Sequence, residues 1–151
     1  MSELAQLNSL LKISRAEIGQ IMADIAELNS SIDRLVAEDA QAGKDISAAE
    51  LAYRAILRDD LTTFKLEQLS LIRERVVYFE ARQVQLRTQL KELRERADSL
   101  KASVQARDGK CKRYEERIAE LRRDIGRRNE RRRDRLCEEH ILTKWAAYEG
   151  R

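Results

Sequence analysis

The chain has 151 residues, no proline, five glycines, 38% charged and only 5% aromatic residues, the profile of long helices sharing a thin interface rather than of a close-packed globule. Its formal net charge of +3 is unevenly spread: residues 1–60 hold six Lys/Arg against eleven Asp/Glu, and the remainder holds twenty-four against sixteen. No stretch approaches the roughly eighteen consecutive apolar residues of a membrane span, and the start of the chain lacks a basic leader with an apolar core, so no secretory signal is expected. Cys111 and Cys137 are too few for a disulfide framework and are expected to be reduced in a cytosol.

In chain order, the first element is a run of apolar residues spaced three and four apart: Leu4, Leu7, Leu11, Ser14, Ile18, Ile21, Ile25, Leu28, Ile32 and Leu35. Only Ser14 breaks it, and extension in the same phase gives Ala42, Ile46, Ala49, Tyr53 and Ile56. A repeat averaging about 3.5 residues keeps one narrow stripe turned toward a partner helix, which is the seam of a coiled coil. Within this run, Gly43-Lys44-Asp45-Ile46-Ser47 carries a capping box (Ser47 with Glu50) and a staple (Ile46 with Leu51) and competes as the place of the turn, at 41–46. Because a turn at Gly43 would leave a long stretch of seam-bearing helix without an intramolecular partner, a kink or short non-helical step is expected at 41–47.

A second run begins at Leu69 and continues through Ile72, Val76, Phe79, Gln83, Leu86, Leu90, Leu93, Ala97, Leu100, Val104, Arg107, Cys111, Tyr114, Ile118 and Leu121 to Ile125. Tyr53 and Leu69 are sixteen residues apart, which is not a multiple of seven, so the two seams are out of register and something intervenes between Leu57 and Leu69. It is either a turn or a four-residue stutter in one rod through Leu57, Leu61, Phe64, Gln68 and Ile72, against which the cap residues at 60–63 weigh. Thr62 can cap the second helix, flanked by Leu61 and Leu66 as a staple. The expected fold is therefore all-α: a single long antiparallel two-helix coiled-coil hairpin over 1–151, with helix one at about 3–57, a turn at 58–63, and an extended basic second helix at about 62–148. Arms of about fifty-five residues would reach about 80 Å. Leu4 is expected near Tyr114 or Ile118, and Ile32 near Leu90. Each helix has one seam, so the isolated hairpin is expected to be a monomer at low concentration.

Helix two outlasts helix one, and its overhang carries Arg122, Arg123, Arg127, Arg128, Arg131, Arg132, Arg133 and Arg135, offset by Asp124, Glu130 and Asp134. The apolar stripe stops here while helix-forming residues continue. An isolated helical tip is marginal in water unless it docks, and arginine forks suit carboxylates and phosphates alike. These eight arginines are thus candidates for binding an acidic partner; a solvated charged helix is the competing reading. Beyond them Cys137, Ile141, Trp145 and Tyr148 return at helical spacing, and Ile141, Trp145 and Tyr148 are candidates for a partner groove, or else for packing back on the hairpin.

Enzymatic chemistry is not expected. There is no glycine-rich phosphate loop and no paired nucleophile and base, and no small-molecule substrate or cofactor is implied. Cys137 and His140, with Glu138 and Glu139, fall short of a zinc site because His140 is the only histidine and zinc needs three or four ligands. Nucleic acid is a weaker candidate partner. The arginines could neutralise phosphates, but acids interrupt them, no stacking aromatics interleave, and the basic segment follows the zipper instead of preceding it.

The segment Leu61-Thr62-Thr63-Phe64-Lys65-Leu66-Glu67-Gln68-Leu69, followed by Leu71-Ile72-Arg73-Glu74, resembles the turn and first turns of helix two in the YscO/FliJ family. Length, absence of proline and the longer basic second helix resemble that family along the whole chain. The resemblance implies a cytoplasmic stalk of type III secretion or flagellar export systems, peripheral to the inner membrane and similar to the central shaft of rotary ATPases. It implies that the open end of the hairpin enters a hexameric secretion ATPase while the other end faces the export gate, and that secretion chaperones are further partners. The alternative is a generic structural or scaffolding coiled coil.

Overall fold

In a computed structural model describing residues 2–150, the chain is helical in two long elements, α1 (Glu3–Leu57) and α2 (Thr63–Glu149), joined by residues 58–62. No strand occurs among the described residues. The two starts have the chemistry that ends of helices need, since each leaves four N–H groups without an intrahelical partner. Ser2 Oγ accepts from Ala5 N at 3.2 Å. Thr62 Oγ1 accepts from Lys65 N at 3.2 Å, and the Thr62 carbonyl accepts from Leu66 N at 3.0 Å. Thr62 is thus the cap of α2 and lies outside it. Replacing it with alanine is expected to lower the stability read from denaturant unfolding by about 1 kcal/mol, and serine should recover most of that; no change on Thr62→Ala would show that the cap is idle.

The step expected at 41–47 is absent: α1 runs through it unbroken. Ser47 does not cap. Its hydroxyl donates to the Gly43 carbonyl at 3.1 Å, the back-bond of a serine inside a helix. Gly43 has no positive φ and so ends nothing. It is instead where another side chain needs room, because a Cβ there would stand 3.3 Å from Gln83 Nε2.

Contacts divide the chain into two compact units, each built from one stretch of α1 and one of α2. In the unit of residues 20–104, Leu35, Leu86 and Leu90 form a buried cluster against which Ile32 and Leu93 pack. Leu86 is fully buried. Glu38 is bridged to Arg82 at 3.1 Å, and Gln83 Nε2 donates to the Asp39 carbonyl at 3.4 Å. In the unit of residues 1–19 and 105–151, Leu11, Cys111 and Ile118 are buried, with Leu4, Leu7, Ile18 and Tyr114 packed on them. Arg107 is bridged to Glu17, Arg15 to Glu115, and Arg117 to Glu3. These ion pairs are largely exposed, and such pairs contribute at most about 1 kcal/mol each. They discriminate between alignments of the two helices more than they hold them together.

Every seam position from Leu4 to Ile56 and from Leu69 to Leu121 is buried or half-buried. That includes Ile25 on α1 and Ile72, Phe79 and Leu100 on α2. The seam stops one member earlier than its spacing suggests: Ile125 is 42% exposed, because nothing on α1 lies level with it.

Candidate functional site

The end of the packed region is marked by Arg117. Its Nε donates to Glu3 Oε1 at 3.1 Å and its Nη1 to Glu120 Oε2 at 3.1 Å. These hydrogen bonds, Glu3's first, raise the guanidinium above the ordinary arginine value. Glu3 is also the first residue of α1, so the packing of α2 ends within the next turn, after Ile118 and Leu121. Leu121 is half-buried, and from Arg122 to Gly150 every residue is exposed, although the helix itself continues to Glu149.

All eight arginines predicted from the sequence lie in this unpacked stretch, and among the described residues none is in an ion pair. At 3.6 residues per turn they do not share a face: Arg122 and Arg133 lie on one side, Arg123 and Arg127 on another, and Arg128, Arg131, Arg132 and Arg135 across the rest. Arg123–Arg127, Arg127–Arg131, Arg128–Arg132 and Arg131–Arg135 are like-charge pairs one turn apart, each costing about 0.2–0.5 kcal/mol of helix stability. The three acids offset this from three positions away, as Asp124–Arg127, Glu130–Arg133 and Arg131–Asp134. The segment stays helical and still presents a strong positive field in every direction.

Ile141, Trp145 and Tyr148 are 57%, 62% and 81% exposed, so they do not pack back on their own unit. Leu136 and Leu142, at 59% and 68%, add apolar surface that the sequence spacing did not single out, because they lie off the Cys137–Ile141–Trp145 row. Cys137 is free and exposed, whereas Cys111 is free and buried. Among the described residues no group of three or more His, Cys, Asp or Glu side chains could hold a metal ion, and no helix is long and apolar enough to cross a membrane.

The chain matches no protein-family model, no curated protein and no solved structure.

Proposed function

We propose that this chain is a non-enzymatic stalk of a type III secretion-type export apparatus, an antiparallel coiled-coil hairpin whose basic α2 extension engages the hexameric secretion ATPase. The hairpin reading is supported within each unit by the order of partners. Glu3, Arg15 and Glu17 take Arg117, Glu115 and Arg107, and Leu35 and Glu38 take Leu86 or Leu90 and Arg82. Numbers fall on α2 as they rise on α1. The observation that carries the functional reading is the extension from Arg122 to Glu149, helical, wholly exposed, and bearing eight unpaired guanidinium groups. Arginines on all sides of one helix suit a partner that surrounds it, such as a ring pore lined with acidic groups. Charged contacts favour steering and alignment over raw affinity, which suits a shaft that must shift against its ring. The export gate and secretion chaperones complete the proposed partner set, at the cytoplasmic face of the inner membrane.

Replacing Arg127, Arg128, Arg131 and Arg132 together with glutamate tests this. Those side chains are exposed and, among the described residues, in no ion pair, so circular dichroism and melting should be nearly unchanged, while co-purification with the ATPase and stimulation of its turnover should be lost. A wild-type chain that ignores the ATPase and binds DNA or RNA with steep salt dependence would replace the stalk reading with a nucleic-acid one.

A further inference from the structure

Near the connection between the helices, α2 carries a second apolar row unrelated to its seam. Phe64, Leu71 and Tyr78 recur at sevenfold spacing and are 67%, 64% and 65% exposed. A row sustained at coiled-coil spacing marks a helix face that packs against another helix. Tyr78 is already braced, its ring edge-on to Phe79 with centroids 5.6 Å apart. The Glu38–Arg82 bridge fixes which side of the helix pair this row flanks. One and two heptads toward the connection from Glu38 stand Asp45 and Ala52, and from Arg82 stand Arg75 and Gln68. A cleft of about 320 Å³ lined by Ile56, Gln68, Leu71, Ile72 and Arg75 lies on this side. Beside it α1 presents a row of small residues, Ala48, Ala52 and Ala55, all exposed. One helix thus offers large side chains and the other offers space for them.

The outer edges of the same face also differ in sign. On α1 and just past its end the edge positions are Lys44, Leu51 and Arg58, and on α2 they are Glu67 and Glu74, with Asp60 in the connection ahead of them. Large against small and plus against minus is the signature of a self-complementary, isologous surface. We propose that this face pairs with the same face of a second copy of the chain, about a two-fold axis parallel to the helices. The α2 of each copy lies on the α1 of the other, giving a four-helix bundle around the connections. Leu71 enters between Ala52 and Ala55 of the second copy, and Glu67 meets its Arg58. Nearer the axis Asp45 and Arg75 alternate with their counterparts, opposite signs adjacent. The inference does not depend on what the arginine extension binds.

Sedimentation equilibrium of the full chain from about 1 to about 300 µM should show monomer giving way to dimer, the micromolar range being that of a modest interface. Leu71→Glu and Ala52→Arg alter only exposed positions, so both should keep full helicity and remain monomeric throughout. Arg58→Glu alone and Glu67→Arg alone should each weaken dimerisation roughly tenfold, because each places two like-charge contacts in the homodimer. An equimolar mixture of those two single variants should dimerise like the wild type, since every contact in the mixed dimer is again of opposite sign. The arginine-to-glutamate variant of the α2 extension should dimerise normally. A wild-type chain monomeric at the highest concentration overturns the proposal. So does a dimer indifferent to Leu71→Glu, or a mixture that fails to restore association.

Discussion

Leu86→Ala is expected to be among the most destabilising single truncations in the chain, lowering unfolding free energy by about 3 kcal/mol. The reason is geometric. A two-helix interface is thin, and most seam residues keep one edge in water, so truncation usually leaves a groove that solvent can fill. Among the described residues Leu86 alone is fully enclosed, at 0% exposure between Leu35 and Leu90. Removing its three outer carbons leaves a cavity lined by leucine, and the cost of such a void adds to the lost transfer free energy. Leu71→Ala makes the control, because Leu71 is 64% exposed and should change stability by at most about 0.5 kcal/mol at low concentration. Denaturant unfolding of both variants checks the pair. Equal losses at the two positions would mean that the seam is not where the free energy resides.

The seam was legible because one simple requirement, an apolar residue every three or four positions, is repeated many times, and each repeat is a separate vote. Its failures have local causes. Ile125 satisfies the spacing, but spacing on α2 cannot report where α1 begins, and Glu3 is already bridged to Arg117. The 41–47 step was expected because Gly43, Ser47 and Glu50 are what a helix end uses. Such signals are worth about 1 kcal/mol and yield to the continuous packing of Ala42, Ile46 and Ala49. The apolar row passes from Leu35 to Ala42 across the seam position Asp39. A polar residue in an apolar row is easily read as noise.

The candidate site was legible in part. That Arg122 to Arg135 stand outside the packed seam follows from the apolar stripe ending, and all eight are exposed. What they meet is not written in one chain, because an exposed arginine has the same spacing whatever carboxylate or phosphate it serves. The face of Phe64, Leu71 and Tyr78 was overlooked for a different reason. Its row lies beside a stronger one and is short, and the alanines that complete it, on α1, become its neighbours only once the two helices are placed side by side. Trp145 could be read as packed back or free, and its 62% exposure decides for the latter.

The polar layer at Asp39 yields the second large effect, in the opposite direction. Asp39 Oδ1 is buried with no hydrogen-bond partner, and its nearest cation, Arg87 Nε, stands at 3.6 Å, close enough for attraction and too far for a hydrogen bond. Gln83, on α2, reaches the Asp39 carbonyl rather than its carboxylate and occupies the space that Gly43 leaves open. A buried carboxylate oxygen left without a hydrogen bond in this way costs about 1–3 kcal/mol, so Asp39→Leu, which adds apolar burial and leaves the Gln83 contact in place, should stabilise the chain by about 2 kcal/mol. For a chain of this length that corresponds to a melting temperature higher by about 4–8 °C. The gain should come with a loss. A polar residue at one seam position restricts which alignment two helices adopt, and the apolar rows before and after Asp39 are alike enough to match when shifted by seven residues. A shifted pairing of the wild type would place Asp39 against an apolar layer, with neither Arg87 beside its carboxylate nor Gln83 beside its carbonyl; the leucine variant meets no such penalty. Asp39→Leu should therefore melt later yet give doubled or broadened amide resonances for residues flanking Leu86, where the wild type gives one set. A variant that melts earlier than wild type would show that Arg87 satisfies the carboxylate after all, and a single sharp set of resonances in a stabilised variant would show that the leucine rows alone determine the alignment.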